Sequence, residues 1–453
     1  MKTDLLVIGG GASGLMAACQ AARSLAAAGR GATVTLLEKM PRPARKVMIT
    51  GKGRCNFTNV KDWNDFSAHV RAGVQSLKSA WYSFTSEDAL RFFEDCGVPV
   101  VVERGDRAFP ASHHAGDIVD ALTGACTRAG VRIVTGCRVA SVKAAPGGGF
   151  HVHTEDGTVW TCRALVLATG GLSYPATGSS GDGYTFAQAL GHSLVPTFPS
   201  LTALVPRGYK LSSGPAGSLP RHIPRETPLS ELGSRLCGIQ LKNVGVQLSV
   251  EGNEVQNEFG DLDFTDGGIE GPIGFQVSRR GVKALQGGAR VVLTLDLKPH
   301  VPEAELSARI LRIREELKHD PRSLRLPEKA QVKVLLGKLL PRPLIQPFLS
   351  MNPCIRPSGL GGGALDAAAL VRALKGWRFD LEGYVGYERA VVTAGGVDVR
   401  DLVPKTLASK RAPGLFLCGE LLDIDADTGG YNLQCAFSTG ALAGRSAAAF
   451  LER

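Results

Sequence analysis

Residues 4–14 read DLLVIGGGASG, and this stretch decides how the chain folds. Residues 4–8 have the length and apolar character of a buried parallel strand. The glycines that follow have the spacing Gly9-x-Gly11-x-x-Gly14. Residues 13–29, SGLMAACQAARSLAAAG, are typical of an Ala-rich helix that ends at Gly29. The stretch therefore predicts a strand, a tight glycine turn and a helix.

A second strand, ATVTLLEK at residues 32–39, follows the helix and carries Glu38 near its end. A glycine motif between strand and helix, with an acid closing the next strand, is typical of dinucleotide binding and not of an empty turn. Gly9 allows the turn, Gly11 leaves the backbone open to a pyrophosphate, and Gly14 lets helix and strand pack closely. We expect the turn to tolerate no Cβ at Gly11. The helix N-terminus would face the phosphates, and Glu38 would accept ribose hydroxyls.

Two more glycine-terminated strands follow, and they favour FAD over NAD. ALVLATGG ends at residue 171, and PGLFLCGE ends at Gly419-Glu420, before a glycine turn and a long Ala-rich helix. The motifs at residues 9–14, 168–171 and 418–434 would surround one ligand. A nicotinamide dehydrogenase does not need the last of them. A flavin dinucleotide does, because its ribityl chain and ring must be held far from its adenine.

Composition is that of an ordinary globular protein with a basic surplus. The 453 residues suggest two or three domains, and the net charge of +10 suits a solvated surface, an anionic ligand or nucleic acid. No Lys/Arg block of the tail type is present, which argues against nucleic acid. The ten cysteines include no C-x-x-C pair, so no metal site is predicted and a reducing cytoplasm is expected. No apolar run reaches the length of a membrane span.

Residues 47–59, VMITGKGRCNFTN, form a polar stretch that holds two glycines, two cations and one cysteine. Such a composition predicts a loop that wraps something polar, and not a core strand or an amphipathic helix. A thiolate in this loop would suggest disulfide chemistry, and Arg54 would lower the pKa of Cys55. The next cysteine is Cys96, however, so the alternative is a small packed residue.

Several motifs together resemble one known family. They are VIGGGASGLMAA, KVMITGKGRCNFTN, RAFPASHHAGDIVDAL, LATGGLSYPATGSSGDGY, GPIGFQVS, VTAGGVDV and SKRAPGLFLCGELLDIDADTGGYNLQCAFSTG. The chain resembles the BaiN-type or aminoacetone oxidase-like NAD(P)/FAD-dependent oxidoreductases of the glutathione-reductase-type flavoprotein superfamily. The resemblance implies an α/β fold: a discontinuous Rossmann-type FAD-binding domain with an inserted β-barrel-like and helical domain. It also implies non-covalent FAD.

The resemblance places the polar loop beside the flavin. Lys46 and Arg54 would neutralise phosphate or hold the loop, and Asn56 would bond the ring edge. Glu420 or Asp423 would hold ribityl hydroxyls, and either carboxylate could serve. The full set of expected FAD-binding residues is Gly9, Gly11, Ala12, Ser13, Gly14, Glu38, Lys39, Lys46, Gly53, Arg54, Asn56, Val139, Gly170, Gly419, Glu420, Asp423, Gly430, Asn432 and Leu433.

Two side chains are catalytic candidates, Cys55 in the polar loop and Tyr174 just past the second glycine strand. Tyr174 could donate a proton, or it could simply pack before Pro175. The family pattern G-x-S-G-P stands here as Gly268-Ile-Glu270-Gly-Pro272. If the replaced serine touches substrate, Glu270 changes the substrate preference.

The expected domain plan is an FAD domain at residues 1–200 and 350–453, a β-rich insertion at 201–300 and a helical segment at 301–349. Residues 208–232 predict a long loop that could cover the active site. No second glycine fingerprint marks a nicotinamide domain, so NAD(P)H would bind transiently. The substrate, NADH or NADPH as donor, and the oligomeric state are left open.

Three functions compete. The first is NAD(P)H-driven reduction of an activated C=C bond in a small molecule, which the family resemblance suggests. The second is an FAD-dependent amine oxidase, as the older family label implies. The third is a flavoprotein that acts on tRNA, which the net charge permits although no RNA-binding module is visible.

Overall fold

The computed structural model describes residues 1–211, 222–355 and 366–452. The strands, numbered in chain order, are β1 (Leu5–Ile8), β2 (Val34–Leu37), β3 (Thr58–Asn59), β4 (Val100–Glu103), β5 (Arg107–Pro110), β6 (Arg132–Val134), β7 (Val139–Ala144), β8 (Phe150–Thr154), β9 (Val159–Cys162), β10 (Ala164–Leu167), β11 (Leu194–Ser200), β12 (Leu204–Pro206), β13 (Gln240–Val250), β14 (Asn253–Thr265), β15 (Gly268–Glu270), β16 (Val291–Asp296), β17 (Trp377–Tyr384), β18 (Val392–Val397), β19 (Leu402–Val403), β20 (Ala408–Ser409) and β21 (Leu415–Leu417).

The α-helices are α1 (Ala12–Ala27), α2 (Arg45–Ile49), α3 (Trp63–Ser67), α4 (Val74–Ser83), α5 (Ser86–Asp95), α6 (Ala115–Arg128), α7 (Asp182–Ala189), α8 (Glu231–Leu236), α9 (Gly271–Gln286), α10 (Glu303–Lys318), α11 (Pro321–Leu324), α12 (Glu328–Gly337), α13 (Arg342–Met351), α14 (Ala367–Lys375) and α15 (Tyr431–Leu451). The chain forms two compact units, residues 1–200 with 390–453, and residues 201–389.

A seven-stranded sheet in the order β19-β20-β21-β10-β1-β2-β6 is the centre of the first unit. From β21 to β6 all neighbours are parallel, with Leu5 opposite both Ala164 and Val34. Every residue of β1, β2 and β10 is buried. Burial on both faces explains why these strands are continuous apolar runs instead of alternating ones.

Helices α1 and α15 pack against each other at very short range. A Cβ on Gly440 would lie 2.3 Å from the carbonyl oxygen of Ser13, and one on Gly444 would lie 2.2 Å from that of Ala17. Glycine is therefore needed at both positions because a larger residue would push the helices apart. This contact brings the start of α1 next to the chain segment that follows β21.

Three small sheets complete the first unit: β3-β5-β4, β7-β8-β9 and β11-β18. The second is the meander that the turn sequences APGGG and EDG predict, with Ala144 opposite Phe150 and His153 opposite Val159. In the third, β11 runs antiparallel to β18.

The second unit is built around a closed six-stranded barrel, β12-β15-β14-β13-β16-β17. Its long hairpin turns between Val250 and Asn253, where the sequence reads Glu251-Gly252. The rings of Phe264, Phe348, Trp377 and Phe379 form a chain of contacts with centroids 4.7–6.1 Å apart. Helix α9 packs on β14.

The boundary of the second unit differs from the sequence-based plan. The plan returned the chain to the FAD domain at residue 350, whereas the second unit runs on to Arg389. The reason is β17, which closes the barrel between β12 and β16. Of the loop predicted at residues 208–232, positions 212–221 lie outside the described residues, and α8 occupies its end.

No helix in the described ranges combines the length and the apolar content that crossing a bilayer requires. The same residues contain no group of three or more His, Cys, Asp or Glu side chains placed to hold a metal ion. The nine cysteines that the structure describes are all free thiols.

Candidate functional site

Two glycines of the β1–α1 turn are required by the fold itself. Gly9 has φ +105°, in the region that favours glycine, and a Cβ there would lie 2.4 Å from the Ala168 carbonyl oxygen. A Cβ on Gly14 would lie 1.8 Å from the carbonyl oxygen of Gly9. The turn is thus pressed against the end of β10, and α1 is pressed against the turn.

Gly11 behaves differently, and here the sequence-based expectation was wrong. Its φ of −78° and ψ of −172° are extended values that other residues adopt. A Cβ at this position would meet no atom within 4 Å. The turn therefore tolerates a Cβ, and the space in front of it is open. No side chain caps the N-terminus of α1, so its N–H groups are available to a ligand in that space.

Glu38 lies buried just after β2 and is held by two backbone donors. The N–H of Gly10 donates to its Oε2 and the N–H of Met40 to its Oε1, both at 2.7 Å. These bonds fix the carboxylate beside the glycine turn. Each carboxylate oxygen keeps a second acceptor position, so a bond from a ribose hydroxyl stays a prediction.

The two lysines assigned to the cofactor each have a carboxylate partner within the protein. Lys39 Nζ lies 2.7 Å from Asp182 Oδ2 and also contacts the Ser180 hydroxyl. Lys46 Nζ lies 2.6 Å from Glu420 Oε2. Both positive charges are therefore balanced inside the protein, and a direct role with phosphate stays a prediction. Of the two roles expected for Lys46, neutralising phosphate or holding the polar loop, the ion pair with Glu420 matches the second.

The loop at residues 50–55 has an unusual backbone, with positive φ at Gly51, Lys52, Gly53 and Cys55. A Cβ on Gly53 would meet nothing within 4 Å, so this glycine borders open space. The Cys55 side chain is fully buried. Burial raises the pKa of the Cys55 thiol to about 12, so it stays protonated at neutral pH.

Arg54 does not activate that thiol, which corrects the expectation from sequence. Its guanidinium donates to Glu103 and lies 3.0 Å from Nδ1 of His113. It also lies 4.6 Å from the centre of the Phe109 ring. With its charge engaged there, desolvation alone determines the raised pKa of Cys55.

Asn56, which the family resemblance assigns to the flavin ring edge, lies at the N-terminus of α15. A Cβ on Gly430, the N-cap residue with φ +96°, would lie 2.5 Å from the Thr58 carbonyl group and 2.8 Å from Asn56 Oδ1. The Asn56 Oδ1 atom is buried and has no hydrogen-bond partner among the described residues. A buried unpaired oxygen costs about 1–3 kcal/mol. A ligand donor at this place would remove that cost.

Glu420 is the acid that joins the segments of the site. Its Oε1 accepts the Thr393 N–H at 2.8 Å and the Ser173 hydroxyl at 2.5 Å, and its Oε2 accepts Lys46. Asp423 lies farther along, where its N–H donates to Val397. The sequence left open which of the two carboxylates is the functional one. The bonds to Glu420 link α2, the segment after β10 and β18.

Most of the remaining predicted residues lie after parallel strands or on the adjoining helices, and Val139 lies in the antiparallel meander. A Cβ on Gly419 would lie 2.2 Å from the Ser13 hydroxyl, so α1 touches the end of β21. Tyr174 is half-buried with φ +51° before Pro175. Asn432 uses its side chain on Ala426 and Asp427. The others are Ala12, at the start of α1, Val139, buried at the start of β7, Gly170, with φ +74°, and Leu433, in the first turn of α15.

One cluster beside α15 has no signal in the sequence. The buried carboxylate of Asp427 accepts Arg71 Nε at 2.7 Å and lies 3.0 Å from His69 Nδ1. The His69 ring stacks on Tyr431 with centroids 4.4 Å apart. His69 and Asp427 are 358 positions apart, so only the tertiary structure could pair them.

Glu270, in the second unit, forms an ion pair with Arg389. The guanidinium donates to both carboxylate oxygens of Glu270 and lies 2.8 Å from Asp266 Oδ1. The side chains of Arg389 and Glu270 are 16% and 10% exposed. These carboxylates raise the pKa of Arg389 against the effect of its burial. Glu270 is thus one half of a largely buried salt bridge.

These residues fit a flavin dinucleotide. The open space before Gly11 suits a pyrophosphate, because backbone N–H groups and the helix dipole favour negative charge there. Glu38 stands at the end of the neighbouring strand, where a ribose would lie. The unpaired Asn56 oxygen and the uncapped N-terminus of α15 provide polar contacts for a ring edge.

Comparison with known proteins finds relatives that are similar to this chain over almost its whole length. A "3-dehydro-bile acid delta(4,6)-reductase" of Clostridium scindens is 32% identical over 98% of both chains. A "Ribosomal RNA dihydrouridine synthase" of Escherichia coli is 30% identical over 97% of this chain and 96% of its own. A solved 3-ketosteroid-Δ4-(5α)-dehydrogenase from Rhodococcus jostii RHA1 has a TM-score of 0.48 at 15% identity, over 99% of this chain and 97% of its own.

Residues 3–446 match the family described as "HI0933-like protein Rossmann domain". The resemblance read from the sequence is thereby confirmed, together with the Rossmann-type FAD-binding fold and the class of FAD-dependent oxidoreductases. The chain belongs to the HI0933-like family of Rossmann-domain flavoproteins.

Proposed function

We propose that this protein reduces a carbon–carbon double bond conjugated to a carbonyl group, with NAD(P)H as the source of electrons. The observation that carries the proposal is full-length similarity to two relatives whose names differ in substrate and agree in chemistry. A Δ4,6 bond system next to a 3-keto group and the ring double bond of uridine are both conjugated to a carbonyl. Saturating either one is the same two-electron change.

FAD, when bound, supplies two-electron transfer between the reductant and the substrate. The protein's own residues would bind the cofactor and orient it. The N–H groups at the start of α1 would hold the pyrophosphate, and Glu38 would hold the ribose. The Lys46–Glu420 ion pair keeps the polar loop against the end of the parallel sheet. The positive end of α15 would stabilise negative charge on a reduced ring.

The protonation step needs a group that can give up a proton near neutral pH. Cys55 is a poor donor because its pKa is raised to about 12. His69 has an orienting carboxylate at Nδ1 and a partly exposed ring beside the start of α15. Histidine is the side chain that enzymes use most often to transfer protons. We therefore rank His69 above Tyr174 and Cys55 as the first side chain to test for proton transfer.

Two substrate classes remain within this proposal. A small enone is supported by the bile acid reductase relative. A uridine within RNA is a second candidate, supported by the dihydrouridine synthase relative and by the net charge of +10. The second candidate resembles the tRNA-acting alternative that the sequence left open, although the absence of a tail-type Lys/Arg block argued against nucleic acid.

The test begins with the purified yellow protein under anaerobic conditions. NADH and NADPH are mixed with it separately, and the loss of oxidised flavin absorbance is followed by stopped flow. A 4-en-3-one steroid or uridine-containing ribosomal RNA is then added to the reduced protein. Reoxidation of the flavin, with a product that has gained two hydrogens by mass, supports the proposal.

A panel of small amines tests the alternative function, an amine oxidase. Reduction of the flavin by an amine alone, without a nicotinamide, would identify an amine oxidase and contradict the proposal. A protein that contains no flavin and takes up no added FAD would contradict the cofactor assignment as well.

A further inference from the structure

The helical part of the second unit contains a stretch of concentrated positive charge. Residues 321–342, which span α11, α12 and the first residue of α13, have six Lys or Arg residues and one acid, Glu328. The stretch therefore holds five net positive charges, half of the chain's net +10, in 22 of its 453 residues. We call it the basic tract.

The tract's cations lie on the outside of the unit. Arg322, Arg325, Lys333, Lys338 and Arg342 are exposed. Only Lys338 has an ion-pair partner in the described part of the chain, Glu316 at 3.2 Å. The preceding helix, α10, mixes acids and bases and carries no such excess. The charge excess is thus local to the tract.

The tract's apolar side chains are mostly used by the fold. Val332, Leu335, Leu336, Leu339 and Leu340 are all buried. Leu324 and Leu326, at 60% and 37% exposure, are the large apolar side chains that the tract exposes among its described residues. Two leucines do not form the continuous apolar face with which an amphipathic helix enters a bilayer. The outer face suits a polar, negatively charged partner.

We infer that the basic tract is a binding surface for the phosphate backbone of RNA. The inference rests on the RNA form of the proposed function, and it adds the part of the protein that holds the nucleic acid. Four exposed cations that have no ion-pair partner among the described residues can neutralise phosphates without first breaking a salt bridge seen there. Phosphate contacts of this kind supply affinity and position the protein without reading sequence. Base-specific contacts would then belong to the flavin-binding unit.

The test measures binding, so it does not depend on turnover. The probe is fluorescently labelled ribosomal RNA stripped of protein, titrated with the FAD-loaded protein between about 50 and about 200 mM salt. The test variant combines Arg322→Ser, Arg325→Ser, Lys333→Ser and Arg342→Ser. The matched control removes four exposed cations elsewhere, by Arg30→Ser, Arg104→Ser, Lys242→Ser and Lys405→Ser.

The wild-type protein and the control should bind RNA with a steep salt dependence. The tract variant should bind at least tenfold more weakly at the lowest salt concentration. Its log–log salt slope should be shallower by about 0.7 for each lost phosphate contact, or about 3 in total. Flavin content and melting temperature should equal those of the wild type, because all four positions are exposed.

Equal RNA affinity and slope in the tract variant and the wild type would overturn the inference. So would tract-dependent binding to phosphatidylserine vesicles with no binding to RNA. A protein that reduces an enone but does not bind RNA would retain the proposed function and lose only this inference. If RNA binding depended on the tract but the protein reduced no conjugated C=C bond, the proposed function would be contradicted and this inference would be kept.

Discussion

Lys46 and Glu420 are 374 positions apart in the chain and form an ion pair of 2.6 Å between Nζ and Oε2. The pair fastens α2, which includes the first residues of the polar stretch, to the segment after the last parallel strand. Their side chains are 26% and 21% exposed, so water screens the pair only partly. Ser173 bonds both members, and Thr393 bonds the carboxylate.

We expect this pair to contribute measurably to stability. Glu420→Gln keeps acceptors for Thr393 and Ser173 but removes the charge that Lys46 faces, and should lower the free energy of unfolding by about 1 kcal/mol. In a double-mutant cycle with Lys46→Met, urea titrations should give a coupling energy of about 1 kcal/mol. The control cycle, Glu420→Gln with Lys39→Met, should show none. A coupling of zero in the first cycle would mean that the pair is solvent-screened.

Gly11→Val should abolish FAD binding and leave the protein folded. The fold offers open space for the new side chain, which would occupy the volume predicted for the pyrophosphate. Flavin absorbance and melting temperature measure the two effects separately. Gly14→Val is the contrasting variant, because a Cβ there meets the Gly9 carbonyl oxygen and should destabilise the fold by about 1–3 kcal/mol or more. Normal flavin content in folded Gly11→Val would refute the phosphate assignment.

Cys55→Ser should keep FAD and retain NAD(P)H-driven flavin reduction within about tenfold, a cost below about 1.4 kcal/mol. The thiol is buried and protonated, so its removal takes away packing and not a nucleophile. Stopped-flow reduction of the variant provides the measurement. A variant with normal FAD content that lost more than about a thousandfold in turnover would identify Cys55 as catalytic.

The stability of the protein should fall as pH rises above about 9. Burial raises the pKa of the Cys55, Cys162 and Cys418 thiols to about 12, whereas in the unfolded chain they ionise near their ordinary value. Between these pH values the unfolded state binds fewer protons, so alkali favours unfolding by up to about 1.4 kcal/mol per pH unit for each thiol. Urea midpoints at pH 7.5 and about pH 10 test this. Cys162→Ala should reduce the slope, and an unchanged slope would contradict the cause.

Glu270→Ser should weaken the second unit, because it removes a carboxylate that is paired with Arg389. It would leave the Arg389 guanidinium, only 16% exposed, with Asp266 and Thr265 as its partners. Removing one partner of a buried pair costs about 3 kcal/mol. Thermal unfolding gives the measurement, and Arg389→Met added to Glu270→Ser should recover part of the loss. If Glu270→Ser were as stable as the wild type, the salt bridge would not be a structural requirement.

The sequence by itself determined the local architecture of the nucleotide site. The strand, the glycine turn and the helix at residues 4–29 could be predicted because apolar runs and glycine spacing act within a few residues. The structure places β1 and α1 there within two residues of the prediction. The family resemblance in the same way came from contiguous motifs such as GKGRCNFTN, and the whole-chain match confirms it.

Only the tertiary structure decided which charges meet and which groups lose water. Arg54 adjoins Cys55 in sequence, yet its charge goes to Glu103, and the pKa of the thiol rises instead of falling. Asp427 finds His69 and Arg71 from the far end of the chain, and β17 carries the second unit past the predicted boundary. Hydrogen bonding, pairing and desolvation depend on neighbours in space, and those neighbours lie up to hundreds of positions apart in sequence.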